Sequence, residues 1–157
     1  MMKEMWDQEK RHLEVMDKLQ LQHQIRPTIL SDVAKAAGFA LGAATALMGK
    51  EAAMACTEAV ETVIGDHYDE FVSHFLGVIP EVLRSRKCSQ LRDFESLPSS
   101  HSSIPLLKEV IKEFRDDELE HLDTAVVHHS QRAPAHALLS AVIGGGCMVA
   151  IELCKRF

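Results

Sequence analysis

Asp116-Asp117-Glu118-Leu119-Glu120-His121-Leu122 repeats the pattern of Asp7-Gln8-Glu9-Lys10-Arg11-His12-Leu13: both read D-x-E-x-x-H-L, and both lie in stretches with helical periodicity. A Glu and a His three residues apart share one helical face, so a carboxylate and an imidazole can converge on one point. The bare E-x-x-H is cheap in a chain with nine histidines, and a charged helix is most often a solvated face held by local ion pairs. The doubled heptapeptide is much more selective. Helical bundles that hold two iron or manganese ions take one E-x-x-H from each of two helices and a single Glu from each of the other two.

That rule says what else to seek. The helix before the second E-x-x-H should carry an inward Glu, and Glu61 fits best among Glu51, Glu58, Glu61 and Glu70. It stands with Ala55, Val60 and Ile64 and shares a face with Tyr68, seven residues on. The first E-x-x-H has no helix before it in this chain, so five of six donors are expected: Glu9, His12, Glu61, Glu118 and His121. Hard carboxylates stabilise the higher charge of an iron that cycles between ferrous and ferric, and imidazole suits both states. Each ligating His should pass its other ring proton to an acceptor behind it, for which Asp7 and Asp116 or Asp117 are close in sequence.

The remaining sequence agrees with an all-α fold. The chain has 157 residues, 46% hydrophobic and only 5% aromatic, enough for a core in one domain over 1–157. A net charge of −6 without a basic cluster argues against nucleic-acid binding. Cys56, Cys88, Cys147 and Cys154 form no CxxC pair and are expected to be reduced, with Cys147 and Cys154 buried on one helical face. A first amphipathic helix runs from Met2 to about Gln24, with Met5, Leu13, Met16, Leu19 and Leu21 as its apolar positions and Pro27 ending it. Ser31 is a candidate N-cap for a helix over 33–49, and a third runs from Lys50 to about Leu76. Residues 77–105 lose periodicity, end in the loop-like SLPSSHSSIP, and are expected to be an exposed, mobile insertion. Helical periodicity returns from Leu106 to His129, and Pro134 opens a last helix ending near Lys155.

Two segments are nearly free of charge. Residues 36–49 are short of the roughly 18 to 20 residues a bilayer span needs. Ala133–Ile151 is nineteen residues without Asp, Glu, Lys or Arg, and three readings compete: a span, a helix buried in a bundle, and a helix on a membrane surface. His136, Ser140 and Gly144-Gly145-Gly146 count against an isolated span, and burial in the bundle is the leading reading. His67 is read either as a surface or core-edge residue or as a group beside the site. His23, His74, His101, His128 and His129 lack partner spacing and are read as surface residues, and the methionines as core filler.

MWDQEKRHL, RPTIL, GFALGAATALMGKEAAMACTEAVE, the Asp66-His67-Tyr68 segment and KEFRDDELEHLD resemble the demethoxyubiquinone hydroxylases of coenzyme Q biosynthesis over roughly residues 3–76 and 106–157. The resemblance implies a ferritin-like antiparallel bundle with membrane-facing apolar helices. It implies a di-iron, O2-dependent monooxygenase that hydroxylates the ring of a polyprenylated 5-demethoxyubiquinol in the penultimate step to ubiquinone. Glu9, His12, Glu61, Glu118 and His121 match the family's iron ligands, with Glu61 and Glu118 as bridging or partly bridging carboxylates. His67 and Tyr68 match residues near the metals implicated in electron delivery from NADH through the quinone. The resemblance also implies peripheral attachment to the matrix face of the mitochondrial inner membrane and a lipid-binding partner protein of the coenzyme Q assembly, and it leaves a homo-oligomer open. A long isoprenoid tail would explain the uncharged segment Ala36–Met48, because such a substrate stays in the bilayer.

Two departures from the family pattern are expected to matter. The family's first helix, with its sixth ligand, and a transit peptide are both missing from this sequence, and the 77–105 connection is longer than the family's. The chain by itself is therefore expected to be impaired relative to a full-length parent. Two further readings stand beside the hydroxylase: a noncatalytic membrane-surface module that binds quinone or a partner protein, and iron or manganese handling in a ferritin-like bundle.

Overall fold

The computed structural model describes residues 2–75, 103–154 and 156, and the described residues are helical, without a strand. Among the described residues five helices follow one another: α1 (Met2–Gln22), α2 (Ser31–Met48), α3 (Lys50–Phe75), α4 (Ser103–Val127) and α5 (His136–Cys154), with a short 3-10 turn, Ser130–Arg132, between the last two. The expected all-α architecture is the one observed, consistent with a ferritin-like bundle. Residues 76–102, most of the expected Ser-rich insertion, lie outside the described residues. Its last three, Ser103 to Pro105, already form the first turn of α4, where a proline's missing N–H leaves no intrahelical bond unmade.

Local chemistry sets the helix ends. α1 closes ahead of Pro27 with Gln24 at φ 56°, and its side-chain amide donates to the Leu21 carbonyl at 3.3 Å. Ser31 is not the cap the sequence suggests. Leu30 holds that position without a side-chain bond, and Thr28 Oγ1 instead accepts the Leu30 N–H at 3.2 Å, which makes Ser31 the first helical residue. Gly49, at φ 120°, separates α2 from α3 in a backbone conformation that side chains disfavour. The last helix starts at His136 and not at Pro134, because Ala135 turns at φ 53°.

α3 is the central element, packed on α4, α5 and α2. Its contact faces are mostly small: Ala52, Ala55, Cys56 and Ala59 are buried together with the larger Met54, and Ile143 of α5 fits against Cys56 and Ala59. On α4, Leu107, Ile111, Phe114 and Ala125 complete the core. Small residues let helix backbones approach closely, and alanines stand beside Met54, Leu107, Ile111, Phe114 and Ile143 in the core.

The outer helices depart from the sequence reading. On α1 Met5, Met16 and Leu19 are half-buried on the side that buries His12, but Leu13 and Leu21 of the expected apolar stripe are exposed. On α2 the buried residue is Thr45, whose hydroxyl bonds back to the Leu41 and Gly42 carbonyls at 3.0 and 3.1 Å, while Phe39 is 80% and Leu47 90% exposed. α5 overturns the leading expectation of a helix buried in the bundle. Ile143 and Gly144 are buried, but Leu138, Val142, Met148, Val149 and Leu153 face outward. Among the described residues, α5 is the one helix long and apolar enough to cross a membrane. Cys147 and Cys154 are only partly buried, against expectation, whereas Cys56 is buried, and all three are free thiols.

Candidate metal centre

Three helices deliver the site. Glu9 and His12 come from α1, Glu61 from α3, and Glu118 and His121 from α4. One ligand atom each from Glu9, Glu61, Glu118 and His121 lies within 4.8 Å of the others, an arrangement able to hold a metal ion. His12 borders the group, with Nδ1 3.3 Å from Glu118 Oε1 and 3.9 Å from Glu9 Oε2. All five predicted donors are thus brought together. α1 packs on α4, and the one residue it buries fully is the site residue His12.

Both imidazoles are oriented the same way. His12 Nε2 donates to Asp117 Oδ2 at 2.9 Å, since a carboxylate can only accept. Gln8 Nε2 donates to Asp117 Oδ1 at 3.4 Å, which leaves its Oε1 to accept from His121 Nε2 at 3.0 Å. Each ring therefore turns Nδ1 inward, His121 Nδ1 standing 3.1 Å from Glu9 Oε1 and 3.5 Å from Glu118 Oε2. Neither buried Nδ1 has a hydrogen-bond partner. A buried nitrogen lone pair aimed at carboxylates is unfavourable unless a cation lies between them, so the donor set fits divalent first-row metal ions.

Of the supporting groups expected from the sequence, Asp117 does stand behind a histidine, whereas Asp7 and Asp116 do not. Asp7 pairs with Lys10 at 2.6 Å and Asp116 with Arg115 at 2.6 Å, both toward solvent. The groups behind the histidines are Gln8 and Asp117, and Gln8 escaped the reading. Each lies four residues before the His of its own helix, hence on its inward face, and that spacing was the available signal.

Electrostatics reflect the crowding of carboxylates. Burial, then hydrogen bonding and charge repulsion from Glu118, push Glu61 up to about 10, so Glu61 holds a proton when no cation is bound. Burial opposes ionisation of Glu118 as well, but the nearby His12 and the hydrogen bond from Glu61 outweigh it and bring this carboxyl below its ordinary value. Burial works against a charged His12, yet Glu118, Asp117 and Glu9 hold its pKa above the ordinary one. Glu9 is raised by burial and by Glu118. Tyr68, on the Glu61 face of α3, is pushed up by burial and then by Glu118, Glu9 and Glu61, so its phenol keeps its proton beside the cluster. His67 is half-buried and lies about 100° around α3 from Tyr68, off the Glu61 face. Phe114 is buried beside the site, its ring 4.0 Å from that of His12.

A family model described as "Ubiquinone biosynthesis protein COQ7" matches residues 1–154. A mitochondrial NADPH-dependent 3-demethoxyubiquinone 3-hydroxylase of Mus musculus is 44% identical over 153 residues, 98% of this chain and 61% of the relative. A mitochondrial 5-demethoxyubiquinone hydroxylase of Saccharomyces cerevisiae is 41% identical over 155 residues, 99% of this chain and 62% of its own length. A 3-demethoxyubiquinol 3-hydroxylase of Rhodospirillum rubrum is 38% identical over 155 residues, 99% of this chain and 61% of the relative. The chain spans about three fifths of the length of these relatives.

Proposed function

Because this chain belongs to the COQ7 family of ubiquinone biosynthesis proteins, we propose that it is the helical core of a di-iron monooxygenase that hydroxylates the ring of a polyprenylated demethoxyubiquinol. The observation that carries the reading is the pair of buried, unpartnered Nδ1 atoms of His12 and His121 turned toward Glu9, Glu61 and Glu118. These five residues are the proposed iron ligands. Two irons held together supply the paired electrons that reduce dioxygen. In balance, a ring C–H, O2, two electrons and two protons become a ring C–OH and water.

The chain's own groups do the rest. Glu61 releases its proton as cations bind, turning the Glu61–Glu118 pair into two anionic donors. Tyr68 keeps a phenol O–H at the edge of the cluster, where it can donate a hydrogen bond to a reacting oxygen. Phe114 and Ile111 exclude water from one side. His67 is proposed as a residue of the electron-delivery path at the rim. The sequence reading expects NADH as donor and the mouse relative's name specifies NADPH, so the proposed donor is a reduced nicotinamide nucleotide.

The exposed apolar faces of α2 and α5 support peripheral contact with a membrane, proposed as the matrix face of the mitochondrial inner membrane, where the substrate's tail resides. A lipid-binding protein of the coenzyme Q assembly is the proposed partner. The test is iron per chain after anaerobic ferrous loading, read by metal analysis and Mössbauer spectroscopy, followed by ring hydroxylation with NADH and with NADPH. Two coupled irons that disappear in Glu118→Ala, together with hydroxylated product, are expected. A chain that binds quinone-loaded vesicles and takes up no iron would instead be a noncatalytic binding module. Coupled irons without ring hydroxylation would favour metal handling.

A further inference from the structure

The two sides of the centre are unequally furnished. Around His121 the structure gathers four donors: its Nδ1 lies 3.1 Å from Glu9 Oε1 and 3.5 Å from Glu118 Oε2, and Glu61 joins these three in one group whose ligand atoms all lie within 4.8 Å of one another. His12 stands outside that group. Its Nδ1 faces the other oxygens of the same two carboxylates, Glu118 Oε1 at 3.3 Å and Glu9 Oε2 at 3.9 Å. A carboxylate has two oxygens and can serve two ions at once, so Glu9 and Glu118 are shared, whereas Glu61 belongs to the His121 side. The other acid beside His12, Asp117, is already engaged, one oxygen with His12 Nε2 at 2.9 Å and the other with the Gln8 amide at 3.4 Å. Phe114 lies against the His12 ring, with 4.0 Å between centroids, and holds it at the border.

Resting on the metal-centre reading above, we propose that a first divalent ion is held by Glu9, Glu61, Glu118 and His121, and that His12 takes up a second, weaker ion only by sharing Glu9 and Glu118 with the first. Two physical reasons set this order. The His121 side offers three carboxylates and an imidazole, while the His12 side offers an imidazole and two carboxylates whose charge the first ion has already largely neutralised, and affinity for a divalent ion follows the charge of its donors. The second ion must also settle beside a like charge in a place shielded from water. Occupancy of the His12 side then decides whether the chain only holds metal or carries the two-ion centre that the proposed hydroxylation needs.

The test is anaerobic equilibrium dialysis of the metal-free 157-residue chain against cobalt(II), with the visible absorption recorded at each concentration. One tight ion per chain is expected, and a second that binds at least about tenfold more weakly. His12→Ala should keep the tight step and its spectrum and lose the weak one. His121→Ala should remove the tight step. Glu61→Gln takes away the donor that only the His121 side has, so it should weaken the first step about tenfold or more and bring the two together. A merely structural loss would weaken both steps alike. Circular dichroism checks that each variant keeps wild-type helicity, and should an alanine variant lose it, Glu61→Gln decides alone. Two equal steps in the wild-type chain, loss of the tight ion in folded His12→Ala, or a first step unchanged in Glu61→Gln would overturn the inference and leave the metal centre standing. No cobalt uptake by the wild-type chain would overturn both.

Discussion

Glu58 Oε2 of α3 lies 2.9 Å from His136 Nε2, the first residue of α5, and both side chains are largely shielded from water. The contact ties the start of the most exposed apolar helix to the central one, beside the packing of Ala133 on Ala52 and Ala55. His136→Leu should cost about 1–2 kcal/mol, the worth of a hydrogen bond to a charged group in a partly shielded place. Thermal unfolding should move down by about 2–8 °C. An unchanged midpoint would mean that α5 is held by its apolar contacts alone.

The proton on Glu61 gives the metal-free fold a pH dependence of known sign. Folded, Glu61 keeps its proton to about pH 10, against 4.5 for an ordinary Glu. Between those values the native state binds more protons than the unfolded one, so this group's contribution is full below about 4.5 and is lost as pH rises toward 10. Glu118, shifted down, acts oppositely: its contribution is present above the ordinary value and lost as pH falls through its lowered one. Urea unfolding of metal-free protein should show stability falling from pH 6 to about 9.5, and Glu61→Gln should flatten that fall. A slope unaffected by the substitution would place the shared proton elsewhere.

Glycines in this chain should answer to alanine with opposite signs. An added Cβ at Gly145 or Gly146 meets nothing within 4 Å, so each Ala substitution should stabilise α5 by about 0.5–1 kcal/mol. Gly49, at φ 120°, should lose about 1 kcal/mol or more as Ala, because the residue must adopt a conformation its Cβ resists. Midpoints in urea for the three variants decide it, and a stabilising Gly49→Ala would mean that the link between α2 and α3 rearranges.

Phe39 and Leu47 project from α2 without burial, so the double change Phe39→Glu, Leu47→Glu should leave thermal stability nearly unchanged. It should reduce flotation with phosphatidylcholine vesicles several-fold while iron per chain stays constant. Equal flotation would assign the membrane contact to α5 alone.

The site was more legible in the sequence than the packing around it. E-x-x-H is a local device, because three residues along a helix bring a carboxylate and an imidazole to one face whatever the neighbours do. Glu9, His12, Glu118 and His121 could therefore be named from spacing, and Glu61 from its phase with Tyr68. Gln8 was missed because its importance depends on which helix lies opposite. Asp7 and Asp116 are nearer the repeat's edge and bond Lys10 and Arg115 on the solvent side.

Charge composition, helical periodicity and the duplicated heptapeptide by themselves determined that the chain is all-α and that two of its helices carry matched donor pairs. Only the tertiary structure decided that the residue before each Glu supports the histidine of the other helix, since that pairing exists only when α1 crosses α4 at one register. It likewise decided that α5 is exposed. An apolar helix without a polar face carries no phase by which the sequence could say which side meets protein, and against the small residues of α3 it buries Ile143 and Gly144 fully and Leu139 and Cys147 in part.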